Sequence, residues 1–383
     1  MDIPRLLDLK ILLRSKSLFL LGPRQTGKSF LIRETLRDAK VYNLLHSDVF
    51  RKLTHNPSII RQEWTEKDSI IAIDEIQKLP EILDEVQALI EEKKVRFLLT
   101  GSSARKLKRY GTNLLGGRAR MVSVHPFVRK ELGTHFDLNK AINIGTIPGI
   151  YFSDEPEIDL GSYLDTYIQQ EVAQEGLTRN LPAFSRFLEV SALCNAEQIN
   201  FTSIANDAQV ARTTVHEYFQ ILQDTLIANE LPAWRETLKR KPVATPKLYF
   251  FDWGVVRKLQ KIGVVETGSP IFGKAFETYI HHEIRTYCDL KGIKNLYYWR
   301  SQQRDEVDFI INEEIACEVK GKSTLNARDI KSLQRLKEES LLKKYYIIYT
   351  GKDVRYLTPD RSIEALPYTL FLDRLYAGEL VGN

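Results

Sequence analysis

The chain has 383 residues, more than one hydrophobic core of roughly 250–300 residues accommodates, so two or three domains are expected. Apolar residues make up 43% and charged residues 27%, which excludes a disordered chain, and no apolar run approaches the ~18–20 residues that span a bilayer. Basic residues number 55 against 50 acidic ones, and the resulting charge of +5 permits nucleic acid as a partner without demanding it.

Asp2, Asp8, Arg14 and Lys16 interrupt the N-terminal apolar stretch, so it does not read as a signal peptide. The strands expected first are Ser17–Leu21, Ile70–Ile73, Phe97–Leu99 and Met121–Val124, separated by helical patterns such as Ser29–Asp38 and Ile82–Glu92. Such alternation implies βαβ units and a parallel sheet, an α/β domain over residues 1–150. Residues 151–265 read as a helical domain, with helix-period positions in Tyr163–Glu175 and Ala183–Cys194. There, Phe201–Ala205, a polar turn at Asn206–Ala208 and a helix from a Thr213 cap to Asp224 match a helix-turn-helix, with Val215, Tyr218, Phe219 and Leu222 inward. Strands Ile227–Trp234 and Lys247–Phe251, with Lys239, Arg240 and Lys241 near the tip between them, would complete a winged helix. Residues 266–383 form a third, αβ segment. It holds a helix Phe276–Leu290, strands Leu296–Trp299, Val307–Ile311 and Ile315–Lys320, a charged helix Asn326–Glu338 and a strand Tyr345–Tyr349. Cys194, Cys288 and Cys317 are odd in number and far apart, which excludes a disulfide framework or a cysteine-rich zinc site and fits a reducing, cytoplasmic setting.

Gly22-Pro23-Arg24-Gln25-Thr26-Gly27-Lys28-Ser29 fits the phosphate-loop pattern in full, between the end of a strand and the start of a helix. Glycines let successive N–H groups turn toward phosphates, and the helix N-terminus adds positive potential. Lys28 would reach the β- and γ-phosphates of ATP, and the Ser29 hydroxyl would sit on Mg²⁺. The run Ile70–Ile73 ends in Asp74-Glu75, where Asp74 would hold Mg²⁺ through water and Glu75 would polarise the attacking water. The next strand ends Thr100-Gly101-Ser102-Ser103, and a hydroxyl there could touch the γ-phosphate or the water, Ser102 being preferred over Thr100. Arg118, with Arg120 in reserve, follows Gly116-Gly117 and could be offered to the nucleotide of a neighbouring subunit. From Lys93 to Lys130 there are eleven Lys or Arg and no Asp or Glu, a stretch that suits either a solvated face or phosphate contact.

The order of phosphate loop, Asp-Glu strand, Thr/Ser-ended strand and arginine pair resembles an AAA-type ATPase domain. With Leu99–Ser103, Gly117–Arg120, Phe276–Ile280, Glu306–Phe309 and Glu318–Lys320, the chain is similar to prokaryotic ATPases that fuse such a domain to a winged helix and a C-terminal domain of unknown function. That C-terminal domain in turn resembles PD-(D/E)XK, restriction-endonuclease-like nucleases. The resemblance implies an oligomeric ATPase acting on nucleic acid, DNA above all. It also implies a metal-dependent site in which Asp308, Glu318 and Glu277 hold Mg²⁺ or Mn²⁺ and Lys320 orients water. Alternation along a strand puts Glu318 and Lys320 on one face. Two carboxylates about 4 Å apart repel by roughly 4 kcal/mol at an effective dielectric near 20, so converging acids call for a cation. His281 and His282 stay outside this site. Candidates for a second arginine sensor in the lid are Arg179 and Arg186. The presumed recognition helix would show Arg212, His216, Gln220 and Gln223, thin in cations for a phosphate interface, so Lys239–Lys241 is the better candidate contact. The alternative function is a nucleotide-gated switch whose C-terminal domain binds nucleic acid or protein without cleaving.

Overall fold

The computed structural model describes residues 3–103, 114–168 and 180–382. Its contacts group the chain into two units, Met1–Pro126 with Gln220–Ile227, and Phe127–Phe219 with Ala228–Asn383, where three consecutive segments were expected.

In the first unit five strands form a parallel sheet: β1 (Ser17–Leu21), β2 (Lys40–Asn43), β3 (Ile70–Asp74), β4 (Arg96–Gly101) and β5 (Ala119–Ser123). Their order is β2-β3-β4-β1-β5. β1, β3 and β4 read as near-continuous apolar runs because both faces are covered. Phe19, Leu21, Ile71, Ile73, Phe97 and Leu99 turn to one side, where Leu83, Val86 and Leu89 of the helix Leu83–Lys93 pack. Leu18, Leu20, Ala72 and Leu98 turn to the other, against Leu31 and Ile32 of the helix Lys28–Thr35. The strand order inserts β4 between the phosphate-loop strand β1 and the acidic strand β3, so whatever ends β4 lies beside both.

The helices Phe201–Ala208 and Arg212–Asp224 follow one another across a short turn, and the second runs from the second unit into the Gln220–Ile227 part of the first. The second begins at Arg212, which places Thr213 within its first turn and not at the cap. Val215, Tyr218, Phe219 and Leu222 are buried, as their spacing requires. β6 (Ala228–Leu231) and β7 (Lys247–Phe250) pair antiparallel. The 22-residue helix Pro270–Lys291 then leads into β8 (Leu296–Arg300), β9 (Glu306–Ile311), β10 (Ile315–Lys320), β11 (Lys344–Tyr349), β12 (Arg355–Tyr356) and β13 (Ile363–Pro367). These six form one sheet in the order β12-β13-β11-β10-β9-β8. The charged helix expected over Asn326–Glu338 is confined to Lys331–Lys337, and of Tyr163–Glu175 only the part up to Ile168 lies among the described residues.

The loop between β6 and β7 lies along the outer strand β8. Trp234 N donates to Tyr298 O at 2.7 Å, Tyr298 N to Pro232 O at 3.0 Å and Val243 N to Arg300 O at 2.8 Å. The loop thereby satisfies part of a sheet edge that would otherwise offer unpaired N–H and C=O groups. Its basic tip is docked: Arg240 pairs with Glu338 and donates to Arg335 O at 2.9 Å, and Glu339 accepts from the N–H groups of Leu238 and Lys239 at 3.0 and 2.9 Å. Arg240 and Lys239 are thereby engaged, while Lys241 is exposed.

Glu283, in the middle of the long helix, is buried and accepts from Arg129 N at 2.7 Å and from Tyr279 Oη at 2.6 Å. Burial raises its carboxyl from the usual 4.5 to about 7. A carboxyl raised in this way is protonated in the native state at pH values where the unfolded chain has already released the proton. Stability therefore falls as pH rises from about 4.5 to about 7 and is then level. Glu283→Gln should remove that decline. In thermal unfolding from pH 5 to pH 8, the variant should gain on the parent by an amount on the order of 3 kcal/mol at most. A stability difference independent of pH would contradict the assignment.

Candidate functional site

The loop Gly22–Ser29 joins the C-terminal end of β1 to the helix beginning at Lys28. Gln25 (φ 60°) and Gly27 (φ 89°) are both left-handed, which turns the backbone so that consecutive N–H groups share one side. At Gly22 a Cβ would strike the carbonyl oxygen of Val124, so the close packing of the loop on the segment after β5 needs glycine. Arg5 braces the loop from outside: it donates to Thr26 O at 2.9 Å and to His125 O at 2.6 Å. Lys28 is buried, and its Nζ donates to Gly22 O at 2.7 Å and Pro23 O at 2.9 Å. The side chain thus arches over the loop toward the place where β- and γ-phosphates would lie.

Asp74, at the end of β3, receives a hydroxyl on each carboxylate oxygen. Ser29 Oγ donates to Oδ2 at 2.8 Å, and Thr100 Oγ1 donates to Oδ1. Thr100 Oγ1 also accepts from Glu75 N at 3.4 Å. Glu75 is left-handed (φ 62°), a strained conformation for a non-glycine residue. Burial raises its carboxyl above the usual range, with Lys28 the largest opposing influence. Gln77, which sequence reasoning passed over, is buried and donates through Nε2 both to Glu75 and to Ser102 Oγ, the latter at 3.2 Å. Gly101 leaves room for it, since a Cβ there would come within 2.5 Å of Gln77 Oε1. The structure thus places Thr100 on Asp74, and Gln77 links Ser102 to Glu75. The side chains of Ser29 and Asp74 suit a hexahydrated-type cation such as Mg²⁺, which takes oxygen ligands and keeps several waters.

Arg118 precedes β5. The parallel register pairs Ser17 with Ala119 and Leu21 with Ser123, so Arg118 stands at the far end of the sheet from its own phosphate loop, roughly 20 Å away at ~3.3 Å per residue. It pairs with Glu91 at 2.7 Å and is half-exposed. Arg120 is exposed on the edge strand. Of the basic stretch, Arg105, Lys106, Lys108 and Arg109 lie outside the described residues, as does Arg179. Arg186 is exposed, and its Nε donates to Ala208 O at 3.3 Å. Arg129 is paired with Asp373 at 2.5 Å. Arg212, His216 and Gln220 are exposed and Gln223 is half-buried; His216 stacks on Phe201 with ring centres 4.0 Å apart.

The C-terminal acids do gather. β9 and β10 are antiparallel, with Cys317 opposite Phe309, and the register carried one step further sets Glu318 beside Asp308. Asp308 Oδ2 accepts from Val319 N at 2.7 Å, and Lys320 Nζ lies 2.5 Å from Glu318 Oε1. Both acids are buried. Burial raises the Asp308 carboxyl well above its usual range, and Glu318 and Glu277 raise it further. Burial likewise raises Glu318 to about 7, against the pull of Lys320. Sequence reasoning missed the centre of the cluster: Lys247, the first residue of β7, is 2% exposed and sits 3.3 Å from Glu277 Oε1 and 2.5 Å from Glu306 Oε1. Tyr249 Oη donates to Glu277 Oε1 at 2.5 Å, and Arg300 holds the other oxygen of Glu306 at 3.0 Å. Glu277 is therefore engaged through Oε1 by Lys247 and Tyr249. Among the described residues no three His, Cys, Asp or Glu side chains form a ready metal-binding group. Asp308 and Glu318 nonetheless suit a hard divalent cation, since Glu318 Oε2 is buried without a hydrogen-bond partner. His281 stacks on Tyr249 and His282 lies 3.1 Å from Phe127 O, both structural placements.

A phosphate loop on β1, an Asp-Glu pair on β3 and a hydroxyl-bearing strand between them define a P-loop nucleotide-binding domain. Residues 14–133, the N-terminal third of the chain, match the family model described as an AAA domain. Residues 135–266 and 272–371 match two domains of unknown function, DUF8612 and DUF4143. The chain is 23% identical over 351 residues to an uncharacterized protein of Mycobacterium tuberculosis and equally to one of Mycobacterium bovis, covering 88% of this chain and 77% of each relative. Among solved structures it is similar to the Aeropyrum pernix ORC1 protein in complex with DNA (14% identity, 68% of this chain and 93% of that one, TM-score 0.28). It is also similar to the Pif1 helicase of Candida albicans (15% identity, 42% of this chain and 47% of that one, TM-score 0.24). Scores of this size do not describe a shared overall fold. No helix among the described residues is long and apolar enough to cross a membrane.

Lys247 is buried between the partly exposed Glu277 and Glu306, and removing it leaves two carboxylates that water reaches only in part. Lys247→Met should therefore destabilise the protein by about 1–3 kcal/mol in urea unfolding, and adding Glu277→Gln should recover part of that loss. An unchanged urea midpoint for Lys247→Met would show that the ammonium does not hold Glu277.

Proposed function

We propose that the protein is an oligomeric, Mg²⁺-dependent ATPase that acts on nucleic acid, with a metal-dependent phosphodiesterase site in its C-terminal sheet. One observation carries the ATPase reading: Ser29 and Thr100 place their hydroxyls on the two oxygens of Asp74, with Glu75 alongside and Lys28 arched over the loop. In this reading Lys28 moves its ammonium from the loop carbonyls to the β- and γ-phosphates. Gly22, Pro23, Arg24, Gln25, Thr26 and Gly27 wrap the phosphates, and Ser29 and Asp74 hold Mg²⁺. That ion would draw charge from the phosphate oxygens. Glu75 orients the attacking water, and Gln77 fixes the Glu75 carboxylate. Arg118 is too far along the sheet to serve its own loop, which supports its use as a finger on the nucleotide of a neighbouring copy.

The segment 151–265 is read as a helical lid and winged helix, and 266–383 as a restriction-endonuclease-like domain. The helix-turn-helix with its β6–β7 pair supports the first, and the sheet carrying Glu318 and Lys320 supports the second. Asp308 and Glu318 would hold one Mg²⁺ or Mn²⁺, which supplies a Lewis acid for the phosphate. Lys320, only partly buried, releases Glu318 and orients the water. The docked cations at the β6–β7 tip favour a second reading, a nucleotide-gated switch whose C-terminal domain binds without cleaving.

Lys28→Ala should lose ATP binding. Glu75→Gln should keep ATP and hydrolyse it roughly 10²–10⁴-fold more slowly, read by nucleotide binding and phosphate release. Hydrolysis at the parent rate by Glu75→Gln would overturn the assignment. Arg118→Ala should bind ATP and hydrolyse it poorly, and mixing it with Lys28→Ala should restore part of the activity, because one interface then holds both groups. A fully active monomer at all concentrations would exclude the shared site. Asp308→Ala should abolish Mn²⁺-dependent cleavage of DNA while leaving ATP hydrolysis intact; absence of cleavage in the parent would favour the switch.

A further inference from the structure

Two-metal phosphoryl-transfer sites hold their ions roughly 3.5–4 Å apart on bridging carboxylates. The C-terminal sheet and the long helix have the acids for such a site: Asp308 and Glu318 are buried and feel the partly exposed Glu277 and Glu306 electrostatically. They are not equivalent. Glu277 and Glu306 share the Lys247 ammonium, and each has a second partner in Tyr249 or Arg300. Asp308 receives a main-chain N–H, Glu318 receives Lys320, and one oxygen of Glu318 receives nothing.

The two lysines differ as well. The Lys320 side chain is 27% exposed and touches one acid, so it can leave and return. The Lys247 side chain is 2% exposed, is fixed between acids from the long helix and from β9, and lies 5.4 Å from the centre of the Tyr298 ring. An ammonium is a compact point charge with three donors, suited to standing where a small cation would stand. Burial works against its charge, but the carboxylates around it more than offset that effect and hold it protonated.

We propose that the Lys247 ammonium takes the place of a second metal ion, so that this site binds one divalent cation, at Asp308 and Glu318, and never two. The inference rests on the metal-binding reading of Asp308 and Glu318. It adds that the site is built jointly by the C-terminal sheet and by β7, which belongs to the helix-turn-helix segment. Lys247 touches neither substrate nor metal and is a positioning residue: it fixes Glu277 and Glu306 and leaves the other two acids for the ion.

The test counts ions in the full-length, nucleotide-free protein. Mn²⁺ is titrated against EDTA-stripped protein, free Mn²⁺ is followed by electron paramagnetic resonance, and the uptake lost when Asp308→Ala and Glu306→Gln are combined, in the parent and in Lys247→Met alike, is assigned to this site. The parent and Lys247→Arg should each bind one ion per chain, and Lys247→Met should bind two, the second replacing the lost ammonium between Glu277 and Glu306. Two ions in the parent, or one in Lys247→Met, overturns the proposal while leaving the metal-binding reading standing. No uptake sensitive to Asp308→Ala overturns that reading and the inference with it. If Lys247→Met fails to fold, crystals of the parent soaked in Mn²⁺ decide. Anomalous density on Asp308 and Glu318 alone sustains the proposal, and density in contact with Glu277 or Glu306 overturns it.

Discussion

A lysine ammonium buried among carboxylates governs the C-terminal half of this protein. Glu277 comes from a helix, Glu306 and Asp308 from β9 and Glu318 from β10, and they are drawn into one place by the register of the sheet. Such a cluster is electrostatically unfavourable wherever water is excluded, because each charge loses its hydration and meets the next. Lys247 relieves part of that strain from the opposite side, and Tyr249, two residues on, faces the same way and closes the hydrogen bonding. The residual strain falls on Asp308 and Glu318, whose raised carboxyls show where positive charge is still wanted.

The N-terminal sheet solves its own problem by strand order. With β4 between β1 and β3, the end of β4 lies next to the loop and to Asp74 at once. Thr100 then ties the acid down, while Gln77 couples Glu75 to Ser102 across the glycine at 101. The hydrogen bonds converge on the two acids from the end of β4, from the helix after the phosphate loop and from Gln77, which is the preorganisation that electrostatic catalysis demands.

The parts visible in the sequence are those written locally. The phosphate loop is a contiguous pattern, and β1 and β10 end where their apolar and alternating patterns end. β2 escaped notice because Lys40–Asn43 is four residues long, lies at the sheet edge and carries polar side chains. β12, β13 and the helix Tyr368–Ala377 are equally faint. Lys247 opens the run Lys-Leu-Tyr-Phe-Phe and so reads as an exposed strand start; only the fold reveals that its partners are acids far along the chain. The docking of Arg240 at the basic tip is likewise invisible, because Glu338 and Glu339, which receive it, are remote in sequence. Gln77 stands two residues after Glu75, and its role depends on a glycine in another strand.

The pairing of the β6–β7 loop with β8 also bears on the order of events during synthesis. The loop and Lys247 leave the ribosome before β8 and β9 exist, so a strand-like segment and an ammonium wait in water for their partners. The acids that follow are born facing a cation already in place. A chain interrupted between the two would hold either a lysine without acids or acids without a lysine. Vectorial emergence thus spares the nascent protein the worst intermediate, in which the carboxylates collapse together first.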